Sequence, residues 1–178
     1  MSWSYLVILV IITFSLLVTG IEHRSGMWPV LLATPHAKWK HFFMKVLTAA
    51  GFVQIFGLCV CLYLGGLGFI FGKSLLEYIK MSLELLYLPF LLAIPFVIIQ
   101  TLISIVVESP YISVGIGMAA FLFHALLPHW WLPWGPLAYM QPSDRILENF
   151  PLLISVSLGY IMLSLLIFYR KIFSSGGE

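Results

Sequence analysis

Five apolar stretches constrain this chain more than any other feature. They run over roughly 3–20, 43–71, 83–107, 111–128 and 150–169, and none holds more than one Asp, Glu, Lys or Arg. A helix needs about 20 mostly apolar residues to cross about 30 Å of hydrocarbon. The expected fold is therefore all-α, a polytopic membrane protein of about five transmembrane helices forming one transmembrane domain over 1–178. Composition agrees, with 61% hydrophobic and 9% charged residues and a mean hydropathy of +1.05, where soluble domains carry about a quarter charged residues. Met1 to Tyr5 holds no basic residue, and no Ala-x-Ala-like site follows, so the first stretch reads as a retained span and not a cleaved signal.

The formal net charge of +2 is spread over loops without a basic run, so nucleic acid is not an expected partner. Its distribution speaks to orientation. Arg24, Lys38, Lys40, Lys45, Arg170 and Lys171 fall on one side of a five-span arrangement, and Lys73, Lys80 and Arg145 on the other. That excess predicts that the first loop and the C-terminus face the cytoplasm and that the protein sits in the cell's inner or plasma membrane. Trp130, Trp131, Trp134 and Tyr139 then fall in an outer loop, as an interfacial aromatic belt would. Pro89 and Pro95 predict a kink in the third stretch, because proline lacks the amide that would continue the helix. Gly65-Gly66-x-Gly68 predicts unwinding or close packing at the end of the second. Cys59 and Cys61, two apart on one helix, point about 200° from each other and read as small packing residues.

Several patterns resemble chemical motifs and fail on detail. The stretch ending Gly72-Lys73-Ser74 ends as a phosphate-binding loop does, but Leu67 stands where its first glycine belongs. His124 and His129 flank Pro128 and are candidates for a metal or haem, yet they are five apart and no third ligand lies nearby. Glu77 and Glu84 are a heptad apart around Lys80, consistent with an interfacial segment. Glu84, deeper in the third stretch, is also a candidate for lining a substrate path. Glu108 falls at the opposite end of that stretch.

The polar island 21–45 is the most specific signal. Gly26 separates the first span from an expected short helix over 27–33, where Met27, Trp28, Leu31 and Leu32 share one face and Pro35 ends the turn. Pro29 fits in the first turn, where its missing amide hydrogen is not needed. Framed by Glu22, Arg24, Lys38 and Lys40, this apolar knob suits a groove on a partner protein or, equally, a lipid headgroup layer. Composition leaves these two open.

The pattern Glu-His-Arg-x-Gly-x-Trp-x-x-Leu-Leu-x-x-Pro after a span resembles the permease subunits of ABC-2-type ABC transporters. Glu22, His23, Arg24, Gly26, Trp28, Leu31, Leu32, Pro35 and Lys45 occupy the matching positions. The likeness is greatest to bacterial permeases that give immunity to lantibiotics and other peptide antibiotics. It extends more weakly through Ser113-Val114-Gly115-Ile116-Gly117 and the Pro/Trp-rich loop. The family usually has six spans, and this chain starts at what corresponds to the second. The resemblance implies that Glu22, Arg24, Gly26, Met27, Trp28, Leu31, Leu32, Pro35 and Lys45 form a coupling loop for a separate ABC ATPase subunit. It further implies a second permease subunit, as homodimer or heterodimer, and an amphipathic peptide or lipid-like cargo. ATP hydrolysis then belongs to the partner, and this chain needs no cofactor, metal or catalytic residue. A non-transporting membrane interaction protein is the main alternative; a small metal or haem enzyme at His124 and His129 is the other.

Overall fold

A computed structural model describes residues 3–25, 38–70, 82–107, 109–126, 131–136 and 146–174, together with residues 74, 79 and 129. Among these residues there is no β-strand. The elements are α1 (Trp3–Ser25), α2 (Lys38–Ile70), a π-helical turn (Leu83–Tyr87), α3 (Leu88–Leu92), α4 (Ile94–Val106), α5 (Pro110–Leu126) and α6 (Ile146–Ser174). Among the described residues, three helices are long and apolar enough to cross a membrane, through their segments Ser4–Ile21, Lys40–Leu67 and Phe150–Arg170. The apolar helices Ile94–Val106 and Pro110–Phe123 are shorter.

The outer surface of the bundle is apolar, and a minority of polar residues is buried beside its apolar core. Leu17, Ile55, Leu62, Leu122, Leu158 and Leu166 face outward, while Ser15, Gln100, Thr101, Ser104, Ser113 and Ser164 are buried. Such an apolar exterior is stable in hydrocarbon and a liability in water. The axis of the bundle is α4, which packs against α1, α2, α5 and α6. Its length is about 20 Å at 1.5 Å per residue.

Successive helices α1, α2, α4, α5 and α6 alternate in direction, so α1, α4 and α6 run parallel to one another and antiparallel to α2 and α5. At one end, Phe42 near the start of α2 meets Leu102 and Ile105 near the end of α4 and Phe168 near the end of α6, with the Phe42 and Phe168 rings 5.4 Å apart. At the other end, Tyr5 near the start of α1 packs against Phe121 in the second half of α5, with tilted rings 4.7 Å apart. The main apolar core lies towards this second end, built from Val7, Ile8, Ile11, Ala49, Val53, Phe90 and Phe96 among others. Trp134 is half-buried against it, and Trp131 is exposed. Trp130 and Tyr139 lie outside the described residues.

The third stretch is bent as its prolines require. Pro89 has no amide for the Leu85 carbonyl, and the turn before it is wider, with the Leu88 N–H donating to the Leu83 carbonyl five residues back. Pro95 repeats the defect one turn beyond Leu91, and the helix breaks at Ala93 (φ −84°, ψ −1°), whose carbonyl accepts from the amides of Phe96 and Val97 at 3.0 Å. The glycine cluster of α2 behaves differently from expectation. The helix continues through it to Ile70, and a Cβ added at Gly66 would have open space around it. Backbone hydrogen bonds closed within the helix hold such a run together in an apolar surrounding even where propensity is poor.

Cys59 is exposed and Cys61 is buried at 7% exposure, as their spacing predicts. Enlarging the buried one should overpack the interface: Cys61→Leu is expected to lower stability by about 1–3 kcal/mol, and Cys59→Leu to change it by less than about 0.5 kcal/mol. Unfolding by sodium dodecyl sulfate, followed by circular dichroism, measures the difference; equal effects would contradict the packing.

Candidate functional site

The polar island 21–45 is shortened at both ends by helix. Ile21, Glu22, His23, Arg24 and Ser25 continue α1, and residues 38–45 form the first two turns of α2. A helix already nucleated gains one backbone hydrogen bond for each residue added, so it runs past the apolar stretch. Residues 26–37 lie outside the described residues, and with them Gly26, Met27, Trp28, Leu31, Leu32, Pro35 and the expected helix over 27–33. Of Glu22 and Arg24 the structure describes the backbone in α1.

Lys45 is not a loop residue. It is 8% exposed, and its Nζ donates to the Val18 carbonyl of α1 at 3.1 Å. The ammonium thereby ties the first turns of α2 to the C-terminal half of α1. His41, one turn earlier on the same helix, has a buried Nε2 without a partner among the described residues. Beside Val18, the Thr19 hydroxyl donates to the Ser15 carbonyl at 2.9 Å.

From Ser15 a polar seam runs between α1, α4 and α5. The Ser15 and Thr101 hydroxyls lie 3.3 Å apart, and those of Ser104 and Ser113 2.7 Å apart. Gln100 Nε2 donates to the Ser113 carbonyl at 3.2 Å and approaches the Ser113 hydroxyl at 3.4 Å. Gln100 is 0% exposed, yet its Oε1 has no hydrogen-bond partner among the described residues. The helices come very close here. A Cβ added to Gly117 would stand 2.7 Å from Ile12 Cγ1 and 3.1 Å from Gln100 Oε1.

A second polar contact grips the break in the third stretch. Gln54 Nε2 of α2 donates to the Phe90 carbonyl at 2.9 Å, and the Phe90 ring fills the space beside Gly57, one turn further along α2. Glu84, the candidate path residue, lies in the π-helical turn, and its side chain is outside the described residues. Nearby Ser82 is 3% exposed, and its hydroxyl has no partner among the described residues.

No family model, curated protein or solved structure matches this chain. The residues themselves define what the site can do. The seam offers hydroxyls and one free carbonyl oxygen, without Asp, Glu, Lys or Arg among Ser15, Gln100, Thr101, Ser104 and Ser113. It can solvate water or uncharged polar groups, and it supplies no nucleophile paired with a base. His129 is exposed, its ring 6.2 Å from that of Trp131, while the side chain of His124 is outside the described residues. Among the described residues, no three His, Cys, Asp or Glu side chains come together as a metal site.

Hydropathy and charge mark ionised groups first, and the seam has none, so its signal in the sequence is weak. Gln54 and Gln100 are the only Asn or Gln residues inside the five apolar stretches, and each supplies an interhelical hydrogen bond.

Proposed function

We propose that this chain is a membrane-spanning permease subunit of an ABC-2-type ABC transporter, moving an amphipathic peptide or lipid-like cargo with energy from a separate ATPase subunit. The observation that supports this reading is the tie between the two helices that flank the motif in sequence. Lys45 joins α2 to α1, and the Glu22-to-Pro35 pattern runs from the last residues of α1 towards the start of α2. A partner pushing on that connection would move two helices together, and through them α4, which packs against both. Rigid-body motion of helices is how such a displacement reaches the rest of a bundle.

In this reading the chain crosses the membrane five times: α1, α2, the bent unit from Leu83 to Val106, α5 and α6. The excess of Lys and Arg puts the α1–α2 connection and the C-terminus in the cytoplasm of a cell whose plasma or inner membrane holds the protein. Trp28, Leu31 and Leu32 form the knob that enters the ATPase, and a second permease subunit completes the assembly. Immunity to peptide antibiotics is the physiological role that fits such a cargo.

Affinity purification in mild detergent from the native host tests this directly. An ABC ATPase is expected to accompany the wild type and to be lost from the variant carrying Trp28→Ala and Leu32→Ala. Two buried anchors of this kind are together worth about 3 kcal/mol, roughly 100-fold in affinity. The variant should still insert into the membrane in normal amount. Absence of an ATPase from both samples would overturn the transporter reading in favour of an interaction protein.

A further inference from the structure

We infer that the α1–α4–α5 seam is a gate, which opens to water from the end of the bundle that carries the α1–α2 connection, by separation of α5 from α1 and α4. Three observations converge on it. The first is the orphan oxygen: Gln100 Oε1 is fully buried without a donor among the described residues, where α1 and α5 approach so closely that a Cβ at Gly117 would stand 2.7 Å from Ile12 Cγ1. A buried acceptor left unpaired penalises the closed arrangement, and a leucine of similar size there would not. In an opened seam, water satisfies the same oxygen.

The second is the position of α5. Among the helices of the bundle it packs mainly on α1 and α4, and Tyr111, Ile112, Ile116, Leu122 and Phe123 on its other sides are exposed. Nothing among the described residues pins its outer face. The third is depth. Ser113 lies in the first turn of α5, which begins at Pro110, and Ser104 lies in the last turn of α4 before the chain turns extended at Val107 (ψ 116°). Water entering at the Val107–Pro110 turn needs to advance about one helical turn, 5.4 Å, to reach the two hydroxyls. Ser15 and Thr19 then continue the polar line towards Lys45. An uncharged polar portion of a cargo, such as an amide or hydroxyl, is the chemistry this lining would solvate. That cargo assignment rests on the transporter reading; the opening itself does not.

Thiol accessibility tests the gate. In a background with Cys59→Ala and Cys61→Ala, the substitutions Ser113→Cys and Ser104→Cys place a thiol in the seam, and Ala49→Cys places one in the apolar core. Opened native membranes are exposed to a membrane-impermeant methanethiosulfonate, which needs a hydrated thiolate. Long exposure captures even a rare open state. Both seam cysteines are expected to react and the Ala49→Cys thiol to stay inert. Seam cysteines that remain as inert as the core one until denaturation would overturn the proposal. Adding Trp28→Ala with Leu32→Ala separates the two readings: labelling that proceeds at an unchanged rate upholds the gate and counts against coupling through the loop.

Discussion

Truncating Phe90 to alanine is expected to cause one of the largest losses of stability available to a single substitution in this protein. The ring is 0% exposed and packs against Phe56 at a centroid distance of 6.2 Å, against Gly57, and within the main core. In water such a change costs about 3–5 kcal/mol, part of it lost transfer energy and part the cavity left behind. In a bilayer the transfer part largely disappears, since the separated helices would still lie in hydrocarbon, and packing is what holds them together. The cavity part remains, so the expected loss is about 2–3 kcal/mol. Detergent-driven unfolding of the purified protein measures it. A loss below about 0.5 kcal/mol, the range of ordinary surface changes, would mean that the bent unit does not seat on α2 through this ring.

The reciprocal change probes the same contact from the other side. A Cβ at Gly57 would fall 2.7 Å from Phe90 Cγ and 2.8 Å from Cδ2, closer than carbon atoms approach, so Gly57→Leu must displace α3 from α2. Overpacking of this kind costs about 1–3 kcal/mol, and the loss of the Gln54 bond to the Phe90 carbonyl, about 1 kcal/mol, follows if the helices part. Gly51→Leu is the control on the same helix, because a Cβ there meets nothing within 4 Å. It should leave stability unchanged or improve it slightly, as leucine favours helix over glycine by close to 1 kcal/mol. The two sites also predict coupling: Phe90→Ala should make room for a larger residue at 57, so the double variant should be more stable than the sum of the single losses allows. Strict additivity would contradict the direct contact.

The apolar stretches were readable from sequence because hydrocarbon thickness sets a length that few other structures need. The break in the third stretch was readable for a local reason, the missing amides of Pro89 and Pro95. Helix ends were less so. Composition marks where the apolar stretch stops, whereas the backbone of α1 continues through Glu22, His23 and Arg24 because helical hydrogen bonding does not depend on lipid. Lys45 is the clearest case: its charge assigned it to a polar loop, and the Val18 carbonyl on the neighbouring helix drew it into the bundle. That partner is 27 residues away in sequence. The seam and the grip on Phe90 share the same difficulty. Gln54 reaches its acceptor across 36 positions and Ser15 meets Thr101 across 86, pairings that appear only when the helices are placed beside one another.

Lys45 also bears on how the chain is assembled during synthesis. Taken alone, α2 would bring an ammonium into the apolar phase with no protein acceptor, at a penalty approaching the roughly 3 kcal/mol of a mid-helix lysine and relieved by its place near the helix end. With α1 alongside, the Val18 carbonyl receives it. The first two helices are therefore best delivered to the bilayer as a pair. A ribosome-bound intermediate that exposes α2 before α1 has settled would have to hold Lys45 at the membrane surface and draw it inward only when the hairpin closes.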